Sequence, residues 1–201
     1  MRLKKIPDAL EQLRQSNFLI ENFPLQIDAN WIVEIGMGKG DMLVELARLS
    51  PDKKFLGIEK FDSAAVKAIK KAKKYNLTNF FIICSDVKDI LEKISGTTDL
   101  IWLTFSDPWP KKRHLKRRLT YKDFLVIYKN LLSKEGILKL KTDNDGFFEY
   151  SLESLTEFGA QILYKTTNLH ADAKNEDNIF TDYEIKWSQK DKNINYLEAK
   201  F

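Results

Sequence analysis

Apolar residues come in short bursts along this chain, and the bursts alternate with amphipathic stretches. Trp31 to Ile35 (WIVEI), Lys54 to Ile58 (KFLGI), Phe80 to Cys84 (FFIIC), Leu100 to Phe105 (LIWLTF) and Ile137 to Lys141 (ILKLK) are brief and rich in β-branched or aromatic residues. That composition predicts strands, and the nearly continuous apolar character of the first four predicts burial on both faces. Between them, Ser63 to Tyr75 repeats Ala65, Ala68, Ile69 and Ala72 at helical spacing with lysines on the opposite side. Tyr121 to Leu132 reads as another helix, with Thr120 as its N-cap and Gly136 closing the loop behind it. Strand and helix in alternation predict an α/β fold with a parallel sheet covered on both faces. After a last helix over Gly146 to Phe158 the pattern becomes extended at Gln161 to Leu169 and Tyr183 to Ser188, which predicts a terminal antiparallel hairpin. The first 25 residues read as mixed helix and loop. With no repeat, low-complexity stretch or Pro/Gly/Ser-rich linker, 1–201 is expected to be one domain.

Ligands of such sheets bind outside the carboxyl ends of the strands, so the residues that follow strands carry the chemistry. After the first strand come Glu34-Ile35-Gly36-Met37-Gly38-Lys39-Gly40, three glycines at alternate positions before a helix. Glycine allows positive φ and close backbone approach to a nucleotide-type ligand. The spacing fits neither the dinucleotide fingerprint nor a phosphate-cradling loop, and Glu34 would repel a pyrophosphate. An acid there suits a cationic ligand. The second strand ends in Gly57-Ile58-Glu59, and a carboxylate at that point can accept both hydroxyls of an adenosine ribose. Ser85-Asp86 follows the third strand, placed to receive the adenine amino group. Any one of these acids alone reads equally well as a helix cap or a solvated loop residue. Together with Gly36, Gly38 and Gly40 they describe a pocket for S-adenosylmethionine, whose sulfonium and ammonium are both positive.

Composition narrows the class without deciding it. Hydrophobic residues make up 43% and charged residues 31%, ordinary values for a globular protein. One cysteine (Cys84) and two histidines (His114, His170) exclude a disulfide framework and a Cys/His zinc site, so no metal is expected. No apolar run approaches the roughly 18 to 20 residues that span a bilayer, and no signal-peptide core opens the chain, so a cytoplasmic protein without membrane contact is expected. The formal net charge is only +4, but Lys111 to Arg118 (KKRHLKRR) holds six fixed positive charges with no acid among them. A nucleic-acid backbone would reward that density, although a solvated face is the plain alternative for a basic run alone. The histidines are expected to have packing or surface roles, with a phosphate contact open to His114, and Cys84 to lie in the core.

That run follows Phe105-Ser106-Asp107-Pro108-Trp109-Pro110, whose two prolines restrict Asp107 and Trp109 and hold an acid and an aromatic beside the sheet's carboxyl edge. The stretch FSDPWPKKRHLKRRLT, then Lys141-Thr142-Asp143-Asn144, then Thr181-Asp182-Tyr183-Glu184, resembles the bacterial tRNA (guanine-N7-)-methyltransferases of the TrmB type over nearly the whole chain, from about Arg2 to the end. The resemblance implies a Rossmann-like class I methyltransferase fold, a mostly parallel seven-stranded sheet with a terminal antiparallel hairpin. Residues 1–25 would be an N-terminal extension, 31–145 the donor-binding half and 146–201 the substrate side. Glu34, Glu59 and Asp86 match donor-binding acids, and Asp107 matches the acid assigned to donor binding and catalysis. Lys111, Asp143 and Thr181, Asp182, Tyr183 and Glu184 match positions assigned to the substrate guanosine, a variable-loop nucleotide (position 46) of tRNA. Many relatives carry aspartate where this chain has Glu59.

The chemistry agrees. Guanine N7 has a free lone pair, so methyl transfer from a sulfonium needs placement rather than a general base. The purine gains positive charge, which a carboxylate such as Asp107 stabilises. Asp143 and Glu184 are expected to accept from guanine N1–H and its amine, donors that adenine lacks. Lys112, Arg113, Lys116, Arg117 and Arg118 are expected to grip tRNA phosphates. No obligatory protein partner is implied, and monomer and homodimer suit the chain equally. The alternative enzyme is a methyltransferase of an exocyclic amine of adenine or cytosine, which uses an Asp-Pro-Pro-aromatic segment; here the second proline is displaced and Thr-Asp-Tyr-Glu has no counterpart. A silent nucleic-acid-binding module would lack the glycine loop or Asp107, and a nicotinamide dehydrogenase fails on loop spacing and Glu34.

Overall fold

The computed structural model describes residues 4–189 and 192–201. Residues 1–3, in the expected N-terminal extension, and residues 190 and 191, in the expected substrate side, lie outside the described residues. The chain forms two compact units that meet in sequence between Gly96 and Thr97. Strand pairing is mostly parallel, and the antiparallel pairs fall in the second unit.

In the first unit, α1 (Ala9–Arg14) and the short β1 (Leu25–Ile27) precede β2 (Trp31–Ile35), α2 (Asp41–Leu49), β3 (Lys54–Ile58), α3 (Asp62–Lys74), β4 (Phe80–Ile83), α4 (Val87–Ile90) and β5 (Ile94–Gly96). The order is β4-β3-β2, all parallel, with Val33 opposite Leu56 and Leu56 opposite Phe81; β1 and β5 pair separately. β2 and β3 are buried almost throughout, as two-faced burial requires. Leu43, Ala47, Phe55, Ala65, Ala68, Ala72, Phe80 and Ile82 make one core with Ala9 and Leu13 of α1, and each large side chain so buried contributes about 1.5–3 kcal/mol. The alanine stripe predicted for α3 is the face it buries. Asn79 ties the far side of this layer together, its amide reaching the carbonyls of Ala47, Ser50 and Lys53 at 2.9–3.1 Å.

In the second unit, β6 (Thr98–Thr104) leads through a 3₁₀ segment (Lys112–Arg117) to α5 (Lys122–Leu131), β7 (Leu132–Thr142), α6 (Asp145–Glu157), β8 (Gln161–Thr166), α7 (Asp182–Ser188) and β9 (Asn195–Lys200). The order is β6-β7-β9-β8: β6 and β7 are parallel, and β9 runs antiparallel to both neighbours. Phe124, Leu125, Tyr128, Leu138, Leu140, Phe147, Leu155 and Leu197 are buried.

Two expectations change. Thr120 does not cap α5; its hydroxyl shares a 2.9 Å hydrogen bond with Ser151, and Tyr121 stands at the N-cap. The antiparallel pair is β8 with β9, not with Tyr183 to Ser188, which is helical. Tyr183, Ile185 and Trp187 alternate with polar residues as a strand would, but the Thr181 hydroxyl accepts from the Glu184 N–H at 2.9 Å, and this cap decides the local conformation.

Candidate active site

The glycine loop is built from the end of β2 outward. Gly36 (φ 75) and Met37 donate to the Ile58 carbonyl, and Gly40 (φ 66) donates to Met37. Gly40 also lets α3 approach: a Cβ there would stand 2.7 Å from the Ala68 Cβ. Gly38 (φ 57) differs, because a Cβ built on it would meet nothing within 4 Å. Its backbone therefore faces open space, a cradle suited to a ligand that must come close.

Glu59 closes the loop from the next strand. Its carboxylate accepts from Gly38 N–H at 3.0 Å and from Phe61 N–H at 2.9 Å. Burial pushes its carboxyl above the usual range, and these backbone donors, with Lys60, oppose that. Glu34 is buried at the end of β2. Asp86 accepts from Lys88 N–H at 3.1 Å, the capping role that is its plain alternative, while its other oxygen stands 4.0 Å from the Lys60 ammonium. Glu34, Glu59, Asp86 and the glycines expected at the methyl donor thus share one unit, with Glu59 physically joined to the loop. Cys84, half-buried beside them, has its thiol pushed up to about 11 by burial and neighbouring acids, as an inert packing residue would.

In the second unit β6 runs into a bent, tightly held segment. Phe105 (φ 49) and Trp109 (φ 42) both adopt left-handed backbone, strained for non-glycine residues, and exposed Asp107 lies between them. Phe105 N–H donates to Lys141 at the end of β7, at 2.9 Å. Arg118 holds the other end: its guanidinium donates to the carbonyls of Pro108 (3.0 Å) and Trp109 (3.2 Å) and lies 4.2 Å over the Tyr150 ring. Arg118 is buried, so its donors serve the loop and not the phosphate contact expected from sequence. Lys111, Lys112, Arg113, Lys116 and Arg117 are exposed, with Arg117 4.8 Å over the Trp109 ring and His114 edge-on to the same ring.

Beside this segment, the Tyr183 hydroxyl donates to Asp143 at 3.0 Å, and its ring lies 5.1 Å from that of Phe105. Burial, then the negative charges of Asp143 and Asp107, push its phenol up to about 12, so it remains a donor at neutral pH. Asp107, Asp143 and Tyr183 are thereby brought together; Asp182 is exposed one residue away. Glu184 points elsewhere. Fully buried, it accepts from Lys141 at 2.9 Å on one oxygen and from His170 and Asn178, both at 2.8 Å, on the other. Burial raises its carboxyl, but the Lys141 ammonium and these donors outweigh that and hold it below the usual range. A carboxylate committed to three protein donors is poorly placed to accept from guanine, contrary to the sequence expectation; Asp143 keeps that capacity.

A family model described as "Putative methyltransferase" matches residues 28–197. The tRNA (guanine-N(7)-)-methyltransferase of Mesomycoplasma hyopneumoniae (strain J) is 61% identical over 201 residues, the whole of both chains. Those of Mycoplasmopsis pulmonis and Metamycoplasma hominis are 53% and 45% identical over the full chain, covering 99% and 100% of the relatives. The chain belongs to the tRNA (guanine-N7-)-methyltransferase family. Solved structures agree on the fold: an antibiotic-related methyltransferase (TM-score 0.61, 14% identity, 99% of this chain and 96% of that one) and the 16S rRNA methyltransferase KamB (TM-score 0.60, 14% identity, 100% and 96%) share the class I methyltransferase architecture.

The sequence does not foretell that Lys141, Asn178 and His170 gather around Glu184, or that Tyr150 lies behind Arg118. A lysine inside the apolar strand LKLKT was the one available signal for the first, since a buried ammonium demands an anion. No motif marks the others: Asn178 and His170 stand 6 and 14 residues from Glu184 without a recognisable spacing. Among the described residues no group of three or more His, Cys, Asp or Glu side chains is arranged to hold a metal ion, and no helix is long and apolar enough to cross a membrane.

Proposed function

We propose that this chain methylates N7 of the variable-loop guanosine of tRNA, with Asp107, Asp143 and Tyr183 at the guanine and Glu34, Glu59, Asp86 and the backbone of Gly36, Gly38 and Gly40 around S-adenosylmethionine. The open face of Gly38, closed from behind by Glu59, fits such a donor. S-adenosylmethionine, when bound, supplies an electrophilic methyl group whose bond to sulfur breaks as the bond to nitrogen forms, the sulfur leaving as a neutral thioether. Guanine N7 attacks through a free lone pair, so the chain's task is placement, and neither a general base nor a metal is required. Asp107, exposed and held between two strained residues, faces the ring as it becomes cationic and stabilises that charge. Asp143, oriented by the Tyr183 hydroxyl, accepts from the donor edge that distinguishes guanine from adenine. Thr181 caps the helix that carries Tyr183, and Glu184 fixes that helix from beneath. Lys111 contacts the target nucleotide, and Lys112, Arg113, Lys116 and Arg117 contact phosphates. The reading invokes no protein partner, and tRNA as the substrate points to activity in the cytoplasm.

The Asp107–Tyr183–Asp143 grouping, found in a chain of this family, carries the reading. Incubating the protein with labelled S-adenosylmethionine and unmodified tRNA, then digesting to nucleosides for mass spectrometry, should give 7-methylguanosine from the variable loop. A product of methyladenosine or methylcytidine would replace the reading with the exocyclic-amine alternative.

A further inference from the structure

α7 is a helix with its polarity reversed: it buries the carboxylate of Glu184 and leaves Tyr183 and Ile185 41% and 45% exposed. Phe180, one residue before its cap, is also 41% exposed. Among the described residues nine large apolar side chains are exposed, and three of them fall within Phe180 to Ile185, which argues for a surface with a purpose.

The Phe180 ring is held in place with unusual thoroughness for a solvent-facing side chain. It stacks on the His170 imidazole, with centroids 4.9 Å apart and planes 25° from parallel. His170 is fixed in turn by its 2.8 Å contact with Glu184. The backbone is anchored on both sides: the Lys141 ammonium donates to the Asn178 side chain at 2.8 Å and to the Ile179 carbonyl at 2.9 Å, and Thr181 caps α7. A buried ionic cluster is weak as a source of stability compared with apolar packing. What this one achieves is a fixed, exposed aromatic face, the form that binding sites take when ordering costs are met in advance.

The occupant follows from continuity with the guanosine site, so this inference rests on the tRNA reading above. Proteins that read RNA loops take unstacked bases onto aromatic rings. Two rings flank Thr181, and they belong to separate groups: Tyr183 with Phe105 and Trp187, and Phe180 with His170. We propose that Phe180 is a stacking platform for a second unpaired base of the tRNA, a neighbour of the methylated guanosine.

The test compares Phe180→Ala, Phe180→Leu and Phe180→Trp in the full chain, measuring tRNA affinity, S-adenosylmethionine affinity and turnover at saturating tRNA. Loss of one base–aromatic stack corresponds to roughly 5- to 150-fold in affinity. Phe180→Ala should weaken tRNA binding within that range, Phe180→Leu should not restore it although it keeps an apolar side chain, and Phe180→Trp should. Donor affinity and saturated turnover should stay at the parent level in all three. Unchanged tRNA affinity in Phe180→Ala, or full rescue by leucine, overturns the platform. A collapse of turnover with affinity intact also overturns it, by moving the ring to the target guanosine. If the parent protein itself formed no 7-methylguanosine, the functional reading would fall instead, so the two failures are distinct.

Discussion

Arg118 shows what a single side chain in a charged run can be doing. Five of its basic neighbours are exposed, yet its own guanidinium is buried against two backbone carbonyls and a tyrosine ring. The loop it clamps contains Trp109 at φ 42, and left-handed backbone in a non-glycine residue costs roughly 1–2 kcal/mol unless its surroundings hold it. Arg118→Lys keeps the charge and loses the fork that reaches both carbonyls. Methyl transfer at saturating tRNA should fall about ten-fold or more, on the scale of charged hydrogen bonds worth about 1.5–3 kcal/mol, with the salt dependence of tRNA binding unchanged. A flattened salt dependence with normal turnover would return Arg118 to the phosphate contacts. In the proposed donor pocket Glu59 has two uses. Because it accepts from Gly38 and Phe61, Glu59→Ala removes acceptors from the loop as well as from the ribose, and calorimetry should show S-adenosylmethionine affinity lower by about ten-fold or more.

At the scale of elements, α7 and its buried anchor were the least legible part of the sequence. The first four of the five predicted strands follow from apolar runs, because burial on both faces favours one kind of residue at nearly every position. Residues that follow those strands were legible for the same reason, since topology dictates where ligands sit. The α7 segment reads as a strand by alternation, and only the capping hydrogen bond and the contacts of Glu184 with Lys141, 43 residues earlier, make it a helix. Glu184 also sets a pH dependence. Its folded carboxyl lies below the usual range, so the stability it provides is present above the unfolded value of about 4.3 and is lost as pH falls through the folded one. Glu184→Gln leaves the Lys141 ammonium buried without its anion and should cost about 3–5 kcal/mol near neutral pH. Urea unfolding at neutral pH and in acid should show the gap between variant and parent closing as the pH drops; a constant gap would mean that the charge of Glu184 contributes nothing.

For the molecule as a whole, charge is the property that no single element explains. The formal net charge is +4, yet the eight residues from Lys111 to Arg118 alone hold six fixed positive charges, so the remainder of the chain carries a slight acidic excess. A tRNA phosphate backbone therefore finds its attraction concentrated on one short segment rather than spread over the surface. Lys112, Arg113 and Lys116 are exposed members of that segment. If each neutralises one phosphate, each releases roughly 0.7 to 0.9 counterions on binding, and replacing all three with glutamine should reduce the slope of log affinity against log salt by about 2 to 3. Donor affinity should not move, because the glycine loop and Glu59 are held together without any of these cations. A triple variant that binds tRNA with the parent slope would make the run a solvated face, and the search for the phosphate contacts would pass to the other lysines of the chain.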